Sequence, residues 1–277
     1  MTAAVRAQCV PDRHWLGKVR SRLGWKVPVR GRQRTRALGW RLLDFSVLDT
    51  PTWSLQSGDP RTTKPMATLP VVPASYLARI RGLLQDGQRK VLGSVGPPGC
   101  GKSTLAFALH KAFSDVSQVV PMDGFHLAHV ELQRLGRAGR KGAPDTFDSA
   151  GYAALLRRLR QQQAGEIVYA PEFRREIEEP VAGAIPVFAS TQLVITEGNY
   201  LLLDDGPWGQ VASLLDDIWY VEVDDTLRAD RLTQRHQQFG RSREEAIDWV
   251  AGTDEPNARL IALTRPHARL VFRWDAA

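Results

Sequence analysis

The chain has 277 residues, of which 43% are hydrophobic and 24% charged, and its formal net charge is +7. These values are typical of a globular protein with a sizeable core, and no stretch approaches the roughly 20 consecutive apolar residues that cross a bilayer. The two cysteines, Cys9 and Cys100, are too few for a disulfide framework, so we expect a cytoplasmic protein without a membrane partner.

The positive charge is confined to the leading segment. Residues 1–65 hold 13 Lys and Arg against 4 Asp and Glu, whereas residues 66–277 hold 24 against 26. This segment could be a basic arm for nucleic acid or acidic membrane, or an Arg-rich transit segment. We favour a third interpretation, in which translation starts at Met66 and residues 1–65 are an unstructured or misassigned extension. The predicted domain therefore spans residues 66–277.

The most specific motif of the domain follows a predicted helix near 73–84 and a predicted strand at 90–95. It fits the Gly-x-x-x-x-Gly-Lys-Ser/Thr pattern of a phosphate-binding loop (Walker A) and continues into a helix-prone run at 104–113, the context that this motif requires. Lys102 would contact the β- and γ-phosphates of a nucleoside triphosphate, and Ser103 would hold Mg²⁺. The residues predicted to bind the nucleotide are Gly96, Pro97, Pro98, Gly99, Cys100, Gly101, Lys102, Ser103 and Thr104.

Short apolar runs alternate with helical patterns through the rest of the domain. We predict further strands near 118–122, 166–171, 192–196, 217–223 and 269–274, and further helices near 127–135, 148–159, 226–238, 244–250 and 255–264. Residues 173–180 are predicted to form a charged loop. The alternation predicts an α/β fold of three layers with a mainly parallel sheet, and together with the phosphate loop it indicates the P-loop NTPase fold. In such a sheet, ligands bind beyond the carboxyl ends of the strands.

Two acidic residues follow predicted strands. Asp123 ends the second strand and is a candidate for the carboxylate that accepts the proton of an acceptor hydroxyl, although Asp-Gly is also a common turn dipeptide. Glu197 follows an apolar strand, as a carboxylate that holds Mg²⁺ does, although an acidic cap at a strand end is the simpler alternative.

An arginine-bearing helix is predicted at residues 226–238. Arg228, Arg231 and Arg235 recur at spacings of three and four, which places them on one helical face. Such a face could fold over the triphosphate as a lid. The alternative is a solvated cationic face that pairs with Asp225 and Asp230.

Five motifs follow one another along the domain: Gly96–Thr104, Met122–His126, Arg140–Asp148, Glu197–Leu203 and Asp254–Ala258. In these motifs and their order, residues 66–277 resemble the P-loop kinases of the uridine kinase, pantothenate kinase and phosphoribulokinase group. The resemblance is strongest to the bacterial nucleoside/nucleotide kinases that include fructose-transport-associated kinases.

The resemblance implies roles for residues on both sides of the reaction. Asp123 would be the acceptor-side base, and Arg231 and Arg235 would be catalytic cations of the ATP lid. The residues expected to contact the acceptor are Asp123, His126, Lys141, Phe147 and Arg174. The chain departs from the family pattern after Phe173, where relatives typically place Asp, or a short polar residue followed by His, and this chain has Arg174-Arg175. A cation there would suit a phosphorylated or carboxylated acceptor.

The leading hypothesis is an ATP- and Mg²⁺-dependent kinase that phosphorylates a hydroxyl group of a nucleoside, a pantothenate-like alcohol or a sugar. The alternative is a P-loop NTPase that acts as a regulatory switch, but the chain contains neither the Asn-Lys-x-Asp motif of GTPases nor the Leu-Ser-Gly-Gly-Gln motif of transporter ATPases. Nucleic acid is a disfavoured partner, because residues 66–277 are slightly acidic. The sequence does not determine the oligomeric state, and a homodimer stays open.

Overall fold

The computed structural model describes residues 70–274, so the basic segment 1–65 and the predicted boundary at Met66 lie outside the described residues. None of the helices in this range combines the length and the apolar character needed to cross a membrane. The helices are α1 (Ala74–Leu83), α2 (Lys102–Ala112), α3 (His129–Arg134), α4 (Ser149–Arg160), α5 (Asp225–Gln238), α6 (Arg243–Trp249) and α7 (Glu255–Leu263). The strands are β1 (Lys90–Val95), β2 (Ser117–Pro121), β3 (Ile167–Arg174), β4 (Glu179–Phe188), β5 (Leu193–Gly198), β6 (Asp217–Val221) and β7 (Leu270–Phe272).

Five strands form one parallel sheet in the order β2-β5-β1-β6-β7. The register sets Glu197 of β5 beside Ser94 of β1 on one side and beside Pro121 of β2 on the other. The carboxyl ends of β1, β2 and β5 therefore meet at one edge of the sheet, where a doubly wound fold binds its ligands. The predicted α/β fold with a mainly parallel sheet is confirmed.

Helices cover both faces of the sheet, which gives the fold its three layers. On one face, α1 and α2 pack against β6 through residues that include Ile80, Leu105 and Trp219. On the other, α4 and α7 contribute Leu156 and Ile261 to a second buried cluster. Burying an aliphatic side chain of this size contributes about 1.5–3 kcal/mol, so the two clusters hold the sheet edge firmly in place.

The remaining two strands form a separate antiparallel hairpin. β3 pairs with β4 from the Ile167–Phe188 pair to the Arg174–Glu179 pair, with a bulge between Ala170 and Glu172. The predicted loop at 173–180 was wrong, because both ends of this range belong to strands. β4 contains two prolines and a glycine, which weaken the strand pattern in the sequence but are tolerated in a strand that lacks neighbours on one side.

Candidate active site

The phosphate loop connects the buried strand β1 to α2. Gly99 and Gly101 have φ angles of +81° and +94°, which residues with a side chain rarely adopt. A Cβ atom on Gly99 would lie 2.8 Å from Cγ of Leu232 and 2.9 Å from the carbonyl oxygen of Arg228. Gly99 is therefore required both for the shape of the loop and for its close contact with α5.

Lys102 is buried at the start of α2. Its Nζ donates a hydrogen bond of 3.0 Å to the carbonyl oxygen of Pro97, so the ammonium group lies across the loop. Neighbouring Cys100 is fully buried, and burial raises the pKa of its thiol. The ammonium of Lys102 is the cation that a phosphate oxygen would meet within the loop.

Ser103 and Glu197 place two oxygen atoms side by side. Ser103 Oγ donates a 2.9 Å hydrogen bond to Glu197 Oε1, and the glutamate is buried at the end of β5. Burial, and after it the charge of Asp123, raises the pKa of Glu197, whereas Lys102 acts in the opposite direction. Mg²⁺ commonly takes one or two protein ligands and fills its other positions with water and phosphate oxygens, so this pair fits the ion. A cation at these oxygens would also offset the cost of burying the carboxylate.

Asp123 lies in the helical turn Met122–Phe125 that follows β2. The next residue, Gly124, leaves no room for a side chain, because a Cβ atom there would lie only 2.3 Å from the carbonyl oxygen of Pro171 in β3. The hairpin thus packs directly against the backbone next to Asp123. At this contact, Nη2 of Arg175 lies 3.7 Å from Oδ2 of Asp123.

His126 is held between two phenylalanine rings. Its ring centroid lies 4.0 Å from that of Phe147 and 4.7 Å from that of Phe173. Its Nδ1 donates a 2.7 Å hydrogen bond to the carbonyl oxygen of Asp123, since a carbonyl can only accept. Burial lowers the pKa of His126, so the ring is neutral and Nε2 carries a free lone pair.

Lys141 enters the same region from the loop between α3 and α4. Its Nζ donates to the carbonyl oxygen of Glu178 in the hairpin turn and lies 5.0 Å from the centroid of the Phe173 ring. A cation over an aromatic face adds a favourable contact, so Lys141 joins its loop to the hairpin.

The three arginines of α5 have different environments. The side chain of Arg228 is 2% exposed and pairs with Asp225 and Glu255 at 3.1 and 2.6 Å. The alternative interpretation, in which the arginines form ion pairs on a solvated face, is thus right about the pairing of Arg228 with Asp225 but wrong about its exposure. Arg231 is exposed, whereas Arg235 is half-buried, and burial together with the positive charge of Arg175 lowers the pKa of Arg235.

These side chains line one cavity of about 620 Å³ at the carboxyl edge of the sheet. The structure brings ten of the seventeen predicted site residues to its wall. Arg174 and Arg231 are not among them, and neither are five residues of the phosphate loop: Gly96, Pro97, Cys100, Gly101 and Thr104. Successive side chains of a strand point to opposite faces. Because Phe173 packs against His126 at the cavity, the next residue, Arg174, points away from the cavity. Arg174 forms an ion pair with Glu172 at 2.6 Å. The predicted residues that line the cavity are Pro98, Gly99, Lys102, Ser103, Asp123, His126, Lys141, Phe147, Glu197 and Arg235.

Several residues of the wall were not predicted. Arg175 is one of them, and the sequence showed it only as the second cation of the Arg174-Arg175 departure from the family pattern. Arg241 lies 3.8 Å from the centroid of the Trp249 ring, which ties the end of α5 to α6. His236 Nε2 lies 2.7 Å from Oδ2 of Asp254. No pattern in the sequence pairs these residues, since each contact joins different helical segments.

Two relatives are similar to this chain in sequence. A Schizosaccharomyces pombe protein named "Putative uridine kinase" is 35% identical over 190 residues, which are 65% of this chain and 80% of the relative. Escherichia coli YggC, an uncharacterized protein, is 36% identical over 189 residues, or 66% of this chain and 77% of its own length.

Solved structures show the same fold. A Silicibacter sp. TM1040 protein titled "putative fructose transport system kinase" aligns with a TM-score of 0.65 at 36% identity, over 71% of this chain and 98% of that one. The Saccharomyces cerevisiae protein YFH7 shares the fold at 20% identity, with a TM-score of 0.60 over 70% of this chain and 96% of its own. Residues 91–273 match the model of the Phosphoribulokinase / Uridine kinase family. The chain therefore belongs to the phosphoribulokinase/uridine kinase family of P-loop kinases.

Proposed function

We propose that the protein transfers the γ-phosphoryl group of ATP to a hydroxyl group of a small molecule. The observation that carries this proposal is that Lys102 of the phosphate loop and Asp123 beyond β2 line the same cavity. A triphosphate and an alcohol bound there would meet between a cation and a carboxylate. ATP as the donor fits the cytoplasmic location that the sequence predicts.

The donor side consists of the phosphate loop and α5. Loop backbone N–H groups and Lys102 would hold the β- and γ-phosphates, and Ser103 and Glu197 would hold Mg²⁺. Bound Mg²⁺ supplies positive charge to the phosphate oxygens of the nucleotide. Arg235 would add a second cation from the lid side. Arg231 is exposed, and its role in the lid stays a prediction that depends on movement of α5.

The acceptor side consists of the turn after β2 and the hairpin. The carboxylate of Asp123 would orient the acceptor hydroxyl and take its proton as the oxygen attacks phosphorus. His126, Lys141 and Phe147 form the adjoining wall. Nucleosides are the first acceptors to test, because one relative carries the name of a uridine kinase. Sugars and pantothenate-like alcohols follow.

A screen for ADP release by the full chain, with ATP, Mg²⁺ and one alcohol at a time, tests the reaction. We expect ADP formation that depends on one class of acceptor. The Asp123→Asn variant should lower kcat by about 10²–10⁴-fold, the usual contribution of a general base, and leave the Kd for ATP unchanged. Full turnover by this variant would remove Asp123 from the mechanism. Equal ADP release with and without every alcohol would instead favour an NTPase switch.

A further inference from the structure

Arg175 occupies a position between the two halves of the proposed site. It follows the last residue of β3, and its side chain is 40% exposed. Its 3.7 Å distance from the carboxylate of Asp123 is longer than a hydrogen bond, so its N–H donors are not fully engaged there. On its other side, its guanidinium carbon lies 6.0 Å from the centroid of the Phe239 ring at the end of α5.

Arg175 and Arg235 are two cations that line the same cavity. The charge of Arg175 is, after burial, the largest influence that lowers the pKa of Arg235. None of the ion pairs among residues 70–274 includes Arg235. Two guanidinium groups repel each other in a half-buried site. An anion that binds between them attracts both and so offsets this repulsion.

We infer that Arg175 is a further catalytic residue whose guanidinium contacts the γ-phosphoryl group during transfer. This inference rests on the proposed kinase function. In the transfer, a bond forms between the acceptor oxygen and phosphorus, and the bond from phosphorus to the bridging oxygen of ADP breaks. The hydroxyl proton goes to Asp123, and ADP leaves with the electron pair of the broken bond. Arg175 neither gives nor takes a proton, and its N–H groups stabilise the negative charge on the phosphoryl oxygens.

The position of Arg175 favours the phosphoryl group over an anionic group of the acceptor. Arg175 lies beside the acceptor-side carboxylate and lines the same cavity as the lid arginine, so a phosphoryl group that passes from donor to acceptor there would come within its reach. The hairpin end of the cavity is lined by Glu178 and Glu179 against the single ammonium of Lys141, and this excess of carboxylates disfavours an anionic acceptor there.

The test compares the affinities of the full chain for ATP and ADP, measured calorimetrically with Mg²⁺. Contact with the γ-phosphate predicts that Arg175→Ala lowers the preference for ATP over ADP about tenfold, the equivalent of one charged hydrogen bond, and that Arg175→Lys recovers part of it. Arg174→Ala is the matched control, because this neighbouring arginine faces away from the cavity, and it should keep the preference. An unchanged preference in Arg175→Ala would overturn the inference.

A second background separates direct contact from an effect through Asp123. Removing Arg175 leaves that carboxylate without its neighbouring cation, which could weaken ATP binding by repulsion alone. With Asp123→Asn already in place, Arg175→Ala should still cost about tenfold in the ATP preference. If the loss disappears in this background, Arg175 acts only through Asp123 and the inference fails. If the wild type binds neither nucleotide, the proposed kinase function fails as well, so the two failures are distinguishable.

Discussion

The parallel sheet and the β3–β4 hairpin contribute to the site in different ways. The sheet supplies Lys102, Ser103 and Glu197 from segments whose strands are buried on both faces. The hairpin supplies Phe173 from β3 and Arg175 from the turn that follows it, and it packs against the turn after β2 through a close backbone contact at Gly124. Donor recognition is therefore built into the core, whereas acceptor recognition depends on how a smaller element docks. Changes in the hairpin can alter the acceptor side without disturbing the phosphate loop.

The largest expected effect tests the donor half alone. Lys102→Met should lower kcat by about 10³-fold or more, because it removes a buried cation aimed at the transferring phosphoryl group. The fold should remain intact, since methionine fills similar space. Lys111→Met is the matched control, because Lys111 is exposed on the same helix and should leave turnover unchanged. Equal turnover of Lys102→Met and wild type would contradict the assignment of the phosphate loop.

The phosphate loop and Glu197 of the donor half could be predicted from the sequence because their signals are local. The phosphate-loop motif is a run of nine consecutive residues, and Glu197 directly follows an apolar run. Both predictions therefore rest on neighbouring residues in the sequence and not on distant contacts. The register then brings Glu197 beside β1 and β2, as the parallel sheet requires.

The acceptor half was predicted less well because its geometry depends on packing. The bulge between Ala170 and Glu172 shifts the alternation of side chains along β3, so the sequence does not show which of Arg174 and Arg175 faces the cavity. On the donor side, the spacing of the α5 arginines predicted that they share one helical face. It could not show that Glu255, 27 residues away in sequence, would take Arg228 into a buried pair.

A smaller effect is expected where the hairpin meets the sheet. Gly124→Ala would bring a methyl group within 2.3 Å of the Pro171 carbonyl oxygen, so the hairpin must shift. We expect a loss of about 2 kcal/mol in the free energy of unfolding, measured with urea. Acceptor-dependent turnover should fall while the Kd for ADP, which lacks the γ-phosphate that Arg175 is proposed to contact, is retained.

Gly82→Ala provides the control for this substitution. Gly82 lies in α1 with open space around its Cα, so alanine there should stabilise the protein by about 0.5–1 kcal/mol through helix propensity. If Gly124→Ala weakened ADP binding as much as acceptor turnover, the phosphate loop and the hairpin would not be separable in the way that the structure indicates.

The smallest expected effect concerns the charge of His126. Burial lowers the pKa of this histidine below its ordinary value of 6.5, so at lower pH the unfolded chain binds a proton that the folded chain resists. The stabilisation that His126 provides is therefore present above about pH 6.5 and is lost as the pH falls below it. His126→Phe keeps an aromatic ring between Phe147 and Phe173 but cannot titrate.

Urea unfolding of wild type and His126→Phe between pH 7.5 and pH 5 measures this contribution. The difference in unfolding free energy, wild type minus variant, should decrease as the pH falls; a difference that grows would mean that His126 is charged in the fold.

The neutral state of His126 also limits which acceptors can bind beside it. A neutral His126 uses its Nδ1–H on the carbonyl oxygen of Asp123, so its Nε2 can only accept a hydrogen bond. An acceptor that uses this contact must therefore present an N–H or O–H group besides the hydroxyl that is phosphorylated.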